Sequence, residues 1–160
     1  SISRNIWPDE LINQFKHIAP KIFDNVLAVH DIPPANVSLR LCDDLQMRHI
    51  NRQYRQIDRA TNVLSFPAID MPSHNFGLGE QVLLGDIVIA AETVMREAES
   101  LQIPVADHLM HLFLHGMLHL FGYDHIDNDM AETMESLEIK LLANIGIANP
   151  YQDTQLEVDN

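Results

Sequence analysis

The 160-residue chain has one cysteine, 6% aromatic residues and only ten Lys or Arg against 23 Asp or Glu, and no apolar run approaches the roughly 20 residues that span a bilayer. Each scarcity excludes something. A single thiol, Cys42, cannot form an internal disulfide, which fits a reducing compartment, and its strand-like setting marks it as a small core residue, not a nucleophile. The formal charge of −13 excludes a generic nucleic-acid coat, because non-specific affinity for phosphate backbones comes mainly from Lys and Arg. With no membrane-length segment, a cytoplasmic protein with no membrane partner is expected. Ser1 to Asn5 show no basic stretch leading into an apolar core, so no secretory leader is visible there.

The charge is unevenly spread. Residues 1–60 hold eight Lys or Arg and seven Asp or Glu, whereas residues 61–160 hold two and sixteen. The length suits one domain, and the periodicity gives a single α+β unit over residues 1–150, followed by an acidic tail over 151–160. Leu11, Ile12, Phe15, Ile18 and Ile22 predict an amphipathic helix interrupted near Pro20. Val37, Leu39 and Leu41 alternate with polar or small residues as in a strand. Asp43 or Asp44 caps a helix with Met47, Ile50 and Tyr54 towards the core, leaving Arg48, Arg52 and Arg55 as a basic stripe that Arg59 extends. Thr61 to Phe66 reads as a strand ended by Pro67, residues 70–80 as a mobile loop, and Leu83 to Ala90 as a central strand before a helix containing Val94 and Ala98. A helix follows Pro104 as far as Gly122. The last begins near Asp129 with a buried stripe of Met130, Met134, Leu137, Leu141 and Ile145.

The helix after Pro104 carries the chemistry. At 3.6 residues per turn His108, His111, His115 and His119 fall within an arc of roughly 80°, with Leu109, Leu112, Phe113, Leu114, Met117 and Leu118 around the rest. A buried helix with four imidazoles on one side must supply them with hydrogen-bond partners or a metal. His115 and His119 lie one turn apart and can reach one ion. Gly122 then permits a left-handed turn, from which Tyr123 and Asp124 deliver His125 as a third ligand. His111 pairs equally well with His115 by spacing, but His111 and His119 stand about 12 Å apart along the axis, and only the His115/His119 pair has the glycine turn and third histidine. Three nitrogens leave tetrahedral zinc one open position, the arrangement of catalytic sites. The same His-x3-His-x5-His spacing occurs in metalloproteases whose general base follows the first histidine, but that position here is Gly116. His17, His30, His49, His74 and His108 carry no functional expectation.

The run His115-Gly116-Met117-Leu118-His119-Leu120-Phe121-Gly122-Tyr123-Asp124-His125 closely resembles the signature of the YbeY family, bacterial endoribonucleases of ribosomal RNA maturation. Tyr54-Arg55, then Asp58, then Thr61 to Phe66, together with Leu84-Gly85-Asp86-Ile87, extend the likeness over nearly the whole chain. Many family members carry Asp where Asn62 stands, and the strand expected before the first helix is short or absent. The resemblance implies a mixed sheet of about four strands packed with about five helices, one Zn2+ on His115, His119 and His125, and cleavage of single-stranded ribosomal RNA in association with the ribosome or its proteins, with no DNA partner. It also implies an important Arg55, which agrees with the basic stripe.

Arg55 can grip a phosphate bidentately and stabilise charge growing on its oxygens, so the catalytic residues are expected to be Arg55 and the ligand His115. Either an activated water or the ribose 2′-hydroxyl attacks. Asp86 and Asp124 are candidates for orienting a histidine ring, while Arg48, Arg52 and Arg59 are candidates for backbone phosphate contacts. The competing readings are a zinc peptidase-like hydrolase, against which Gly116 stands, and a non-catalytic ribosome assembly factor.

Overall fold

In a computed structural model of the chain, the described residues are 6–32, 35–68, 82–124 and 126–151. They form α1 (Asp9–Val29), β1 (Ala35–Cys42), α2 (Asp44–Arg55), β2 (Val63–Pro67), β3 (Val82–Ala90), α3 (Ala91–Leu101), α4 (Val105–Leu120) and α5 (Asn128–Ala143). This is the expected α+β architecture with five helices, and among the described residues the sheet has three strands in the order β1-β3-β2. β3 is central, parallel to β1 with Leu39 opposite Ile87 and Leu41 opposite Ile89, and antiparallel to β2 with Ser65 opposite Ile87.

Both faces of β3 are covered, as its nearly continuous apolar run requires. Ile87 and Ile89 point into the main core with α1 and α4. Val88 and Ala90 point the other way and join Cys42, Met47 and Leu64 beneath α2. Cys42 is fully buried, and burial pushes its thiol up to about 12, consistent with a core role. Trp7, just ahead of α1, is buried and donates its indole N–H to the Cys42 carbonyl at 3.0 Å. Gly85 has φ +151, and a Cβ there would lie 2.3 Å from the Phe66 carbonyl oxygen and 2.9 Å from Leu120 Cδ2. Only glycine lets β2 and the last turn of α4 close over β3 at this point.

Three sequence expectations need correction. α1 runs unbroken through Pro20. Pro20 stands on the exposed side, where the carbonyl one turn earlier that loses its N–H partner is not trapped in the core. Tyr54 does not face the core and is 59% exposed, because it lies in the last turn of α2, which ends at Arg55, and its ring meets Phe66 edge-on at 5.5 Å at the surface. α5 begins at Asn128, close to the expected Asp129, but its cap is Asp127, two residues sooner, whose carboxylate accepts the Met130 N–H at 2.8 Å; Met130, expected in the buried stripe, is exposed at the rim.

α4 occupies the centre of the fold. Leu109, Met110, Leu112, Phe113, Leu114, Met117 and Leu118 are all buried, each contributing roughly 1.5–3 kcal/mol by leaving water. The helix stops at Gly122 (φ +91), with Gly122 N–H bonded to the His119 carbonyl at 3.0 Å and Tyr123 N–H to the Leu118 carbonyl at 3.1 Å, a Schellman close that satisfies two end carbonyls. No helix among the described residues is long and apolar enough to cross a membrane.

Candidate active site

Along α4 the histidine side meets partners from three other elements. His108 reaches Glu97 of α3 at 2.9 Å, and Glu97 also accepts from the Asn62 amide at 3.1 Å. These contacts give the buried His108 and Asn62 a structural account in which an amide at position 62 is matched to a carboxylate at 97. His111 donates from Nε2 to Glu138 of α5 at 3.3 Å, with the Tyr151 hydroxyl 3.2 Å away. His115 donates from Nδ1 to the other Glu138 oxygen at 2.5 Å, and Tyr151 donates its hydroxyl to Glu138 as well.

Burial alone would raise the Glu138 carboxyl, but the hydrogen bonds from His111 and His115, joined by their charge whenever those rings are protonated, outweigh it and hold the group down at about 2. Glu138 is therefore a carboxylate at neutral pH and accepts from every neighbour. Burial, then the charge of Glu138, pushes the Tyr151 phenol up, so it stays a donor. His111, His115 and Glu138 each offer an atom within 4.8 Å of the others, close enough to hold a metal ion.

The opposite nitrogen of His115 faces away from this group. His115 Nε2 and His119 Nε2 stand 3.0 Å apart. With the His115 proton committed to Glu138 through Nδ1, its Nε2 presents a lone pair towards His119. Two imidazole nitrogens converging in this way suit one ion at the roughly 2.0–2.1 Å of zinc–nitrogen bonds, so the expected His115/His119 pair is brought together. His125 lies outside the described residues.

His119 opens onto a cleft of about 450 Å³ whose walls include Arg55, Arg59, Ser65 and Asp124. Arg55 comes from α2, on the other side of the sheet. Its Nη2 donates to the Ser65 carbonyl at 2.8 Å, and its guanidinium carbon sits 5.0 Å from the centre of the Phe66 ring, a cation–π contact. One edge of the guanidinium is thus anchored while the group lines the same cleft as His119. Of the other stripe residues, Arg48 is bound through two nitrogens to Asp58, at 2.8 and 3.1 Å, Arg59 lines the cleft, and Arg52 is exposed. Asp86 is exposed on β3.

Gly116 faces the sheet. A Cβ there would come within 3.0 Å of Ile87 Cγ2 and Ser65 Oγ, and its carbonyl accepts the Ser65 hydroxyl at 2.9 Å. A carboxylate at this position, as in metalloproteases, would have to enter the β2–β3 packing.

Sequence reasoning missed three residues. Glu138 and Tyr151 hold the back of the histidine helix. His30, at the end of α1, stacks on Phe121 with ring centres 4.6 Å apart, donates from Nδ1 to the Val26 carbonyl at 2.7 Å and accepts the Tyr123 hydroxyl at 3.0 Å. The sequence signal for Glu138, an acid within the apolar stripe of α5, gains meaning only beside the histidines that it meets.

The chain matches the family model described as Endoribonuclease YbeY over residues 3–146. It is 41% identical over 162 residues to the endoribonuclease YbeY of Sinorhizobium fredii, covering 96% of this chain and 90% of the relative. It is 43% identical to the one from Rhizobium meliloti, covering 96% and 93%, and 52% identical to that of Agrobacterium fabrum over 118 residues, covering 74% and 68%. A Thermotoga maritima protein whose structure was determined in solution superposes with a TM-score of 0.56 at 22% identity, covering 92% of this chain and 93% of that one, a likeness of fold.

Proposed function

We propose a function from one premise: the chain belongs to the YbeY family of endoribonucleases and is a hydrolase acting on RNA. It cleaves a phosphodiester bond in single-stranded RNA, with ribosomal RNA at its 3′ end as the substrate, and works in the cytoplasm beside the ribosome on RNA and not DNA. His115, His119 and His125 hold one zinc ion, in a catalytic domain spanning residues 1–150 ahead of the acidic tail over 151–160. The observation that carries this reading is the shared cleft: Arg55 from α2 and His119 from α4 line one opening of about 450 Å³.

When bound, zinc supplies Lewis-acid polarisation of the phosphodiester and of water. The rest falls to side chains. Arg55, fixed by Ser65 and Phe66, holds the phosphate and balances charge growing on its non-bridging oxygens. Arg59 contacts a neighbouring phosphate and so sets the register of the strand. Glu138 keeps the His115 proton on Nδ1, turning Nε2 towards the cleft side. The packing of Gly116 against β2 and β3 disfavours the peptidase reading, since it leaves no room for a base beside His115.

The experiment compares wild type, His119→Ala and Arg55→Ala in metal content and in cleavage of a ribosomal RNA precursor. His119→Ala should lose both zinc and cleavage, while Arg55→Ala should retain zinc and lose roughly 10²–10³-fold in rate. Cleavage of casein without cleavage of RNA, or RNA cleavage that survives His119→Ala, would sink the proposal.

A further inference from the structure

Glu138 is the only acidic side chain in the buried set among the described residues, and its exposure is 0%. It stands in the stripe by which α5 packs on the core, beside Met134, Leu141 and Leu142, where an apolar side chain would satisfy packing alone. A buried carboxylate is tolerated only when its oxygens are hydrogen-bonded. Here they are, by His115 on one oxygen and by His111 and Tyr151 on the other.

Two arrangements fit a carboxylate among histidines. In one, Glu138 is itself a metal ligand with His111 and His115. In the other, it grips the far nitrogen of a histidine whose near nitrogen meets the metal, as carboxylates commonly do behind metal-bound imidazoles. The cleft separates them: its walls include His119 but none of His111, His115 or Glu138. An ion inside the buried triangle would be shut away from substrate, and both Glu138 oxygens there already accept protein hydrogen bonds. His115 bridges the two places, with Nδ1 on Glu138 and Nε2 towards His119.

We propose that Glu138, steadied by His111 and Tyr151, is a positioning residue that locks His115 as its Nδ1–H tautomer and so aims the Nε2 lone pair at the metal. The role rests on the zinc site of the proposed function. It makes the segment around Tyr151 part of the support for that site, although Tyr151 is 26 residues beyond the last expected ligand. The hydroxyl covers the Glu138 oxygen that His115 does not use.

The test uses the full chain as wild type, Glu138→Gln, Glu138→Leu and His119→Ala. Zinc affinity is measured by competition with a chromophoric chelator, melting temperature is measured on the metal-free proteins, and long-range proton–nitrogen spectra of the metal-free proteins report which His115 nitrogen carries the proton. Wild type should carry it on Nδ1. Glu138→Gln, which keeps the shape and an acceptor oxygen, should melt near wild type and bind zinc 10- to 100-fold more weakly. Glu138→Leu should move the proton to Nε2 and bind more weakly still.

Wild-type zinc affinity in Glu138→Gln, or a wild-type His115 protonated on Nε2, overturns the positioning role while leaving the His119 site standing. Complete loss of metal from Glu138→Gln with His119→Ala still loaded also overturns it, because Glu138 would then be a ligand of an ion in the triangle. A wild type that takes up no zinc overturns the metal site itself, and this role with it. If Glu138→Leu does not fold, the wild-type tautomer and the Glu138→Gln affinity decide the matter.

Discussion

Replacing Gly116 by alanine would set a methyl group 3.0 Å from both Ile87 Cγ2 and Ser65 Oγ. Neither can withdraw freely, since Ile87 is in the core and the Ser65 hydroxyl is bonded to the Gly116 carbonyl. Overpacking of this kind costs roughly 1–3 kcal/mol, so urea melts of Gly116→Ala should show a loss in that range, and an unchanged midpoint would mean α4 is not seated as described. The spacing of His115 and His119 was legible in the sequence because helical geometry converts four residues into one turn. Glu138 was not: helical periodicity sorts residues by polarity, and an acid in an apolar stripe is discounted unless the histidines it will meet are considered with it. Asn62 is a similar case, its partner Glu97 being remote in sequence and visible only once α3 brings it to the residue just ahead of β2.

At the scale of elements, periodicity located the five helices and three strands, and the errors fall at their ends and at the one internal proline of α1. Tyr54 sits one turn after Ile50 and so belongs to the same helical face, but periodicity does not tell how far along that face the core extends, and the last turn of α2 is exposed there. Pro20 was misjudged for the complementary reason, since the backbone rule against proline weakens where the deprived carbonyl is on the solvent side. The turn after α4 depends on a second element as well. His30 of α1 stacks on Phe121 and accepts from Tyr123, which together contribute about 1 kcal/mol or somewhat more. His30→Ala should therefore speed hydrogen exchange at the Gly122 and Tyr123 amides by roughly tenfold while leaving the Leu112 to Leu114 amides unchanged. Equal acceleration at both places would show that His30 supports the whole fold and not that turn.

At the scale of the molecule, an RNA-cleaving protein of net charge −13 must meet its substrate through few cations. Arg48 is engaged with Asp58, leaving Arg52, Arg55 and Arg59 for phosphates. Two or three contacts on a single strand give a salt dependence with a log–log slope of about −1.4 to −2. Anisotropy titrations of a short single-stranded RNA over a range of salt concentrations should return that slope, and one steeper than about −4 would mean a larger basic surface takes part. The asymmetric charge was readable from composition, whereas the meeting of α2 and α4 across the sheet was not, because it depends on β2 lying outermost in the order β1-β3-β2. That placement gives Arg55 a second duty. β2 ends the sheet among the described strands, and an outer strand with vacant carbonyls invites a neighbouring polypeptide to add itself; the guanidinium occupies the one on Ser65. Shortening this side chain would unmask a seam for self-association, so any lost catalysis in such a variant has to be read alongside its state of assembly.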